Sequence, residues 1–292
     1  MATQKKKSAV KPRGKSPAKA VAKPRAKSAR KKAAPVAAAA PNTVLVDGKP
    51  RYYEPAPTGI DLESFRKVVA SRRSVRKFTQ REIPRAVLDD CLDMAMLAPC
   101  SSGLQPWEFY VVRSPAKKAK LVKACMSQLA AKTAAELVVC VARTDRVSEF
   151  SRRMLREWPM PDVPPLVRRY YQLIPYNYAP GPLNSFAMVK KAASSAAGLV
   201  APLPRGPYTR SEVKLWAAKS AALACENLVL ALRAHGFDSC MMEGYDEKRV
   251  SDLLKLPAAA FPIMVVGAGE RAADGVFWPQ LRFDRELFVH EV

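Results

Sequence analysis

Cooperative folding in this chain can begin only after residue 42. Residues 1–42 are built from Lys, Ala, Pro, Arg and Ser, with thirteen Lys/Arg and no acid in residues 1–40, and K-P-R occurs at both 11–13 and 23–25. Such a segment buries too little apolar surface to offset its ordering entropy, so it reads as a disordered basic tail. The chain's formal net charge is +23; taking away the tail's thirteen leaves +10 for residues 41–292. Two readings of the tail stand side by side. It binds nucleic acid or another polyanion without sequence preference, driven by counterion release, or it is a solubilising extension with no specific partner.

The chain has 292 residues, 49% of them hydrophobic, which is enough for one sizeable core after the tail is set aside. Six cysteines (91, 100, 125, 140, 225, 240) lie mostly in apolar runs, and none forms a C-x-x-C pair. With only His235 and His290, a zinc site is not expected. Scattered single cysteines point to a reducing, cytoplasmic setting. No apolar run approaches the ~20 residues of a membrane span, so no membrane partner is expected. Ala33–Ala40 echoes a signal peptide only weakly, since Pro35 interrupts it.

The folded part is expected over 43–292. Val44–Val46 with Asp47-Gly48 suggests a short strand and turn. Asp61 is an N-cap for a helix over 61–71, with Leu62, Phe65, Val68 and Val69 at helical spacing. A second helix starts at Pro84 and ends before Pro99. Trp107–Val112 and Leu137–Ala142 read as strands around a helix over 116–131. Residues 144–210 break the rhythm, rich in proline and aromatics, with helices expected near 147–157, 165–173 and 184–198. The most convincing helix spans 209–235; it is apolar nearly all round and stopped by Gly236, which marks it as buried. Phe237–Met242 and Ile263–Val266 read as strands around a helix over 247–254, and 283–292 as a C-terminal arm.

Two motifs carry chemistry. Ser71-Arg72-Arg73-Ser74-Val75-Arg76-Lys77-Phe78 holds four basic residues and two hydroxyls in eight positions. Arginine presents a planar fork of donors that fits phosphate and never loses its charge. Arg72, Arg73 and Arg76 with Ser74 can thus grip a dianionic phosphate; taken alone, the stretch also reads as a solvated basic loop. The second motif is Pro99-Cys100-Ser101-Ser102-Gly103-Leu104-Gln105-Pro106-Trp107.

Together with Glu243-Gly244-Tyr245-Asp246, Gly267-Ala268-Gly269 and Gln280-Leu281-Arg282, these motifs resemble, in order and spacing, those of the flavin-dependent nitroreductase family. The resemblance covers roughly 62–142 and 211–292. It implies an α+β fold: a central mixed, mostly antiparallel sheet flanked by helices, in a homodimer whose C-terminal arm crosses to the partner as an added strand. It implies FMN at the dimer interface. Arg72, Arg73, Ser74 and Arg76 match the element binding the flavin phosphate, ribityl chain and pyrimidine edge. Arg282 and Gln280 match a second cluster on the phosphate, with Gln280 where Lys is frequent. Glu243 and Gly244 match the segment whose backbone approaches the flavin ring. Pro99, Cys100, Ser101 and Gly103 match an element donated by the other subunit, with Cys100 replacing the usual Ser and Gly103 the usual Asn. Residues 144–210 take the place of a variable insertion, either a lid over the substrate pocket or packing at the dimer interface.

The activity implied is hydride transfer from NAD(P)H through flavin N5 to a nitroaromatic, quinone or similar small-molecule acceptor, with one pocket used twice in a ping-pong cycle. No protein acid or base is required, and none is named. Positive charge from Arg72 or Arg73 near the flavin N1–O2 edge is the expected tuning device. Cys100 reads as a packing residue rather than a redox thiol, Trp107 as a core anchor and His235 as a helix-capping group. Two further readings compete: a flavin-fold enzyme with a dedicated substrate, including flavin destruction, and a polyanion-binding protein acting through its tail.

Overall fold

Alternation of buried residues on both faces of one strand organises the molecule. The computed structural model describes residues 43–47 and 49–292; the expected tail, 1–42, lies outside them. The chain divides between Ala56 and Pro57 into two units. In the first, β1 (Thr43–Val46) and β2 (Lys49–Tyr52) pair as an antiparallel hairpin, Thr43 opposite Tyr52.

The second unit opens with α1 (Leu62–Ser71). The carboxylate of Asp61 accepts from the N–H groups of Glu63 (3.0 Å) and Ser64 (3.2 Å), the cap expected of it. In chain order there follow α2 (Arg85–Met96), β3 (Trp107–Val111), α3 (Pro115–Ala124), α4 (Leu129–Thr133), β4 (Glu136–Arg143), α5 (Val147–Arg156), α6 (Pro165–Tyr178), α7 (Ser185–Ala197), α8 (Arg210–Ala234), β5 (Asp238–Met242), α9 (Glu247–Leu254) and β6 (Ala260–Gly269). The sheet runs β3-β4-β6-β5, with every neighbouring pair antiparallel. Among the described residues, the one parallel pairing is the bridge between Ser74 and Ser239.

Along β4, Leu137, Val139 and Val141 face a cluster with Val75, Phe78, Leu121, Cys240, Val250 and Val265. The intervening Val138 and Cys140 face Leu88 and Cys91 of α2 and Cys225, Leu228, Val229 and Leu232 of α8. A strand covered on both faces needs a continuous apolar run, which Leu137–Ala142 supplies. A third cluster joins Trp107 and Ala142 to Tyr171, Ile174, Val213 and Trp216, and so ties the insertion to the sheet.

Helix α8 is long and apolar enough, by length and composition, to cross a membrane. Here Cys225, Leu228 and Leu232 are fully buried in protein, which makes it a core helix. Its start is a capping box: Thr209 accepts from the Glu212 N–H, and the Glu212 carboxylate from the Thr209 N–H. His235 ends it, and Gly236 follows at φ 82°. The His235 ring turns from the helix to Asp90, 2.6 Å away.

Two elements differ from expectation. The helix expected over 116–131 is two, because Met126 and Ser127 take φ 55° and 53° and break it. β6 begins at Ala260, ahead of Pro262; proline is ordinarily excluded from a central strand, and it sits here opposite Val141, where the register with β4 shifts. Residues 283–292, the expected C-terminal arm, hold a 3₁₀ turn, Arg285–Leu287.

Candidate functional site

The end of α1 builds the basic cluster. Arg72 is the helix C-cap, its N–H bound to Val68 O (3.1 Å), and from there the chain runs extended. The Val75 N–H bonds Ser239 O (3.0 Å), that of Arg76 bonds Gly275 O (2.7 Å), and that of Thr79 bonds Glu270 O (2.9 Å). Val75 and Phe78 turn into the core, which leaves Arg72, Arg73, Ser74 and Arg76 at the surface.

A cleft of about 220 Å³ is lined by Arg72, Arg73, Ser74, Arg76 and Arg282 together with residues 276–281, Gln280 among them. Residues about 200 positions apart in sequence thus meet. Among the described residues, no acidic one lines the cleft. Arg73 donates to Trp278 O (2.5 Å), Arg76 to Ser74 O (3.0 Å) and Arg282 to Leu281 O (2.7 Å). The Arg72 guanidinium has no hydrogen-bond partner among the described residues. Arg76 also lies 3.9 Å from the Cys240 sulfur; burial pushes that thiol up, and the guanidinium pulls against it. Four arginines with unspent donors around an acid-free cleft suit a dianion. The space is smaller than the ~300–1,000 Å³ of pockets that enclose a whole drug-sized ligand, so it suits the phosphate end of a cofactor.

Pro99, Cys100, Ser101 and Gly103 do not join this cleft. They form a tight turn, with Ser102, Gly103 and Gln105 at φ 61°, 61° and 42°. The Cys100 sulfur accepts from the Gln105 N–H (3.1 Å), and burial raises the thiol above its ordinary range. Cys100 is half-buried. Trp107 is buried at the start of β3, the anchor expected of it.

The insertion grips this turn. Tyr171 donates to Ser102 O (3.1 Å), and the Tyr170 and Ser102 hydroxyls are 2.7 Å apart. Between α6, α7 and the loop 203–208 lies a cavity of about 590 Å³, lined by Ser101, Ser102, Tyr170, Asn177, Tyr178 and Tyr208 among others. Lys190, the one charged lining residue among those described, spends its ammonium on the carbonyls of Tyr176 (2.9 Å), Asn177 (2.8 Å) and Ala179 (2.7 Å). Burial lowers the Lys190 pKa.

Glu243 and Gly244 stand exposed just past β5. The Gly244 carbonyl accepts from Gln128 Nε2 (2.7 Å). The rest of that motif is structural. Tyr245 donates to Pro262 O (2.8 Å), and Asp246 caps α9 through the Arg249 N–H (3.0 Å).

Sequence reasoning missed the support behind the cleft. Asp238, 4% exposed, is held by Arg233 and by a forked contact from Arg271. It also missed the two tyrosines on the Ser101–Gly103 turn, whose only signal was the aromatic density of the insertion.

Residues 69–270 match the Nitroreductase family. The chain belongs to that family. It is 28% identical over 218 residues to the NADH dehydrogenase of Thermus thermophilus, covering 75% of this chain and 91% of that protein. It is 30% identical over 210 residues to protein DrgA of Synechocystis, covering 71% and 85%. Among solved structures, the nitroreductase family protein of Streptococcus pneumoniae superposes with a TM-score of 0.58 at 21% identity, over 78% of this chain and all of that one. A structure from Exiguobacterium sibiricum, assigned as a nitroreductase and determined in complex with FMN, gives 0.58 at 21% identity over 81% and 99%. The nitroreductase fold and an oxidoreductase class follow for this chain.

Proposed function

We propose that the protein is an FMN-dependent NAD(P)H oxidoreductase that reduces a nitroaromatic, quinone or similar acceptor by a ping-pong mechanism. The acid-free cleft formed by Arg72, Arg73, Ser74, Arg76 and Arg282 carries this reading. Those residues would hold the flavin phosphate. Bound FMN would supply the two-electron relay between nicotinamide donor and acceptor. Arg72, with its unspent guanidinium, would set positive charge beside the cofactor and favour its anionic reduced form.

The turn at 99–103 belongs to this reading only in a dimer, since within one chain it lines no part of the arginine cleft. Exposed apolar residues favour such an assembly: Leu62, Phe65 and Val69 on α1, and Trp278, Leu281 and Phe288 in the C-terminal stretch. In that dimer each turn would face the partner's cofactor, and the C-terminal arm would pack on the partner. The tyrosine-lined cavity of the insertion would then receive the acceptor. The six free cysteines fit a reducing, cytoplasmic setting.

The test is steady-state oxidation of NADH and NADPH with a nitroaromatic and a quinone, each varied against the donor. Parallel double-reciprocal lines are expected. Intersecting lines would reject the ping-pong mechanism, and no oxidation by flavin-loaded protein with any acceptor would reject the activity.

A further inference from the structure

We propose that Arg271 is a positioning residue that clamps the phosphate-binding segment, acting from behind the cleft without touching the ligand. The inference rests on the reading of the arginine cleft as the FMN phosphate site.

Asp238, the first residue of β5, has its carboxylate out of water, and such a charge must be paired. Arg233, in the last turn of α8, donates to Oδ2 at 3.0 Å and by itself balances the charge. Arg271 adds a second cation with better geometry: Nε to Oδ2 at 3.1 Å and Nη2 to Oδ1 at 2.6 Å. One anion with two arginines leaves an excess positive charge. That excess sits at the C-terminus of α1, where Nη2 also reaches Ser71 O at 3.4 Å. The contact is long, so its weight is electrostatic. The last carbonyls of a helix lack partners and carry partial negative charge, which a cation there stabilises.

Ser71 immediately precedes Arg72. The backbone of Arg271 meanwhile bridges Phe78, at the far end of the same segment, and the Ala272 N–H bonds Lys77 O at 3.1 Å. The six residues 72–77, which hold four of the cleft's polar ligands, are therefore held at one end by the Arg271 side chain and at the other by its backbone. Asp238 fixes the guanidinium that spans the gap, and neighbouring Ser239 pairs with Ser74.

The test compares flavins with and without a phosphate. Full-length protein freed of flavin by dialysis is titrated with FMN and with riboflavin, following quenching of flavin fluorescence. The variants are Arg271→Lys, Arg271→Gln and, as control, Arg233→Lys. Lysine can pair with Asp238, but as a point charge it cannot also span to Ser71. Arg271→Lys and Arg271→Gln are expected to raise the FMN Kd about tenfold while leaving the riboflavin Kd within about twofold. Arg233→Lys should change neither by more than about twofold. A merely structural role would weaken both flavins together, and that result overturns the proposal. So does an FMN preference that both Arg271 variants retain in full. Equal wild-type affinity for the two flavins would overturn the phosphate reading, and with it this inference.

Discussion

The methyl carbon of Met154 stands 3.3 Å from the position that a Cβ on Gly103 would occupy. Tyr171 Oη is 3.9 Å from the same point. The insertion thus fills the space in front of Gly103, where the family pattern described above has Asn. Gly103 takes φ 61°, a conformation that favours glycine, and the Met154 side chain of α5 packs close against it.

Gly103→Ala should therefore destabilise the protein by about 1–2 kcal/mol from the left-handed backbone alone, plus the crowding with Met154. In a Met154→Ala background the same substitution should cost less, because the contact is gone. A urea-denaturation double-mutant cycle measures the difference. Equal costs in both backgrounds would show that Met154 exerts no crowding.

Arg73→Ala and Arg282→Ala should each weaken FMN binding roughly tenfold to a hundredfold, the worth of one charge-assisted contact. Neither side chain is in the core, so thermal unfolding of the flavin-free protein should be nearly unchanged. Unaltered FMN affinity in both variants would place the phosphate elsewhere.

Cys100→Ser should keep flavin content and turnover within a few fold, because the sulfur's observed role is to accept the Gln105 N–H, which a hydroxyl can also do. A thousandfold fall in turnover with flavin retained would make the thiol a chemical participant.

Acid should weaken the junction between β4 and α5. The forked contact from Arg143 holds the Asp145 carboxyl below its ordinary value of 3.8. A carboxyl with a depressed folded-state pKa stabilises the fold above its unfolded pKa, and that contribution is lost as pH falls through the folded value. The effect is modest, since the Asp145 side chain is 39% exposed. Arg146, Glu108 and Glu149 adjoin the same cluster. Asp145→Asn should flatten stability against pH below about 4 and leave Arg143 paired with Glu108. An unchanged acid slope in the variant would assign it to other carboxylates.

The basic tail should bind duplex DNA without sequence preference. If six phosphates are neutralised, the log–log salt slope is about −5. Deleting residues 1–42 should abolish this binding and spare NAD(P)H oxidation. Undiminished DNA binding by the truncated chain would move the site to the folded part, and lost turnover would make residues 1–42 part of the enzyme.

Much of this architecture was legible because it is local. The Asp61 cap, the buried run of β4 and the stripe on α8 each announce themselves within one element. The arginine cluster was legible through its motif, and Arg282 through its order in the chain. What escaped is long-range or lacks a sequence mark. Asp238 and Arg271 are 33 positions apart in no motif, and only the β5–β6 pairing brings them together. Met126 and Ser127 break a helix without the glycine that usually signals such a turn. The start of β6 at Ala260, ahead of Pro262, escaped because a register shift opposite Val141 cannot be read from composition.

The central claim is that Arg72, Arg73, Ser74, Arg76 and Arg282 hold the phosphate of FMN. Heat-releasing the flavin from purified full-length protein, then identifying and quantifying it by chromatography and mass, tests this most directly. The account predicts non-covalent FMN at roughly one per chain. FAD, or no bound flavin in folded protein even after incubation with excess FMN, would contradict it.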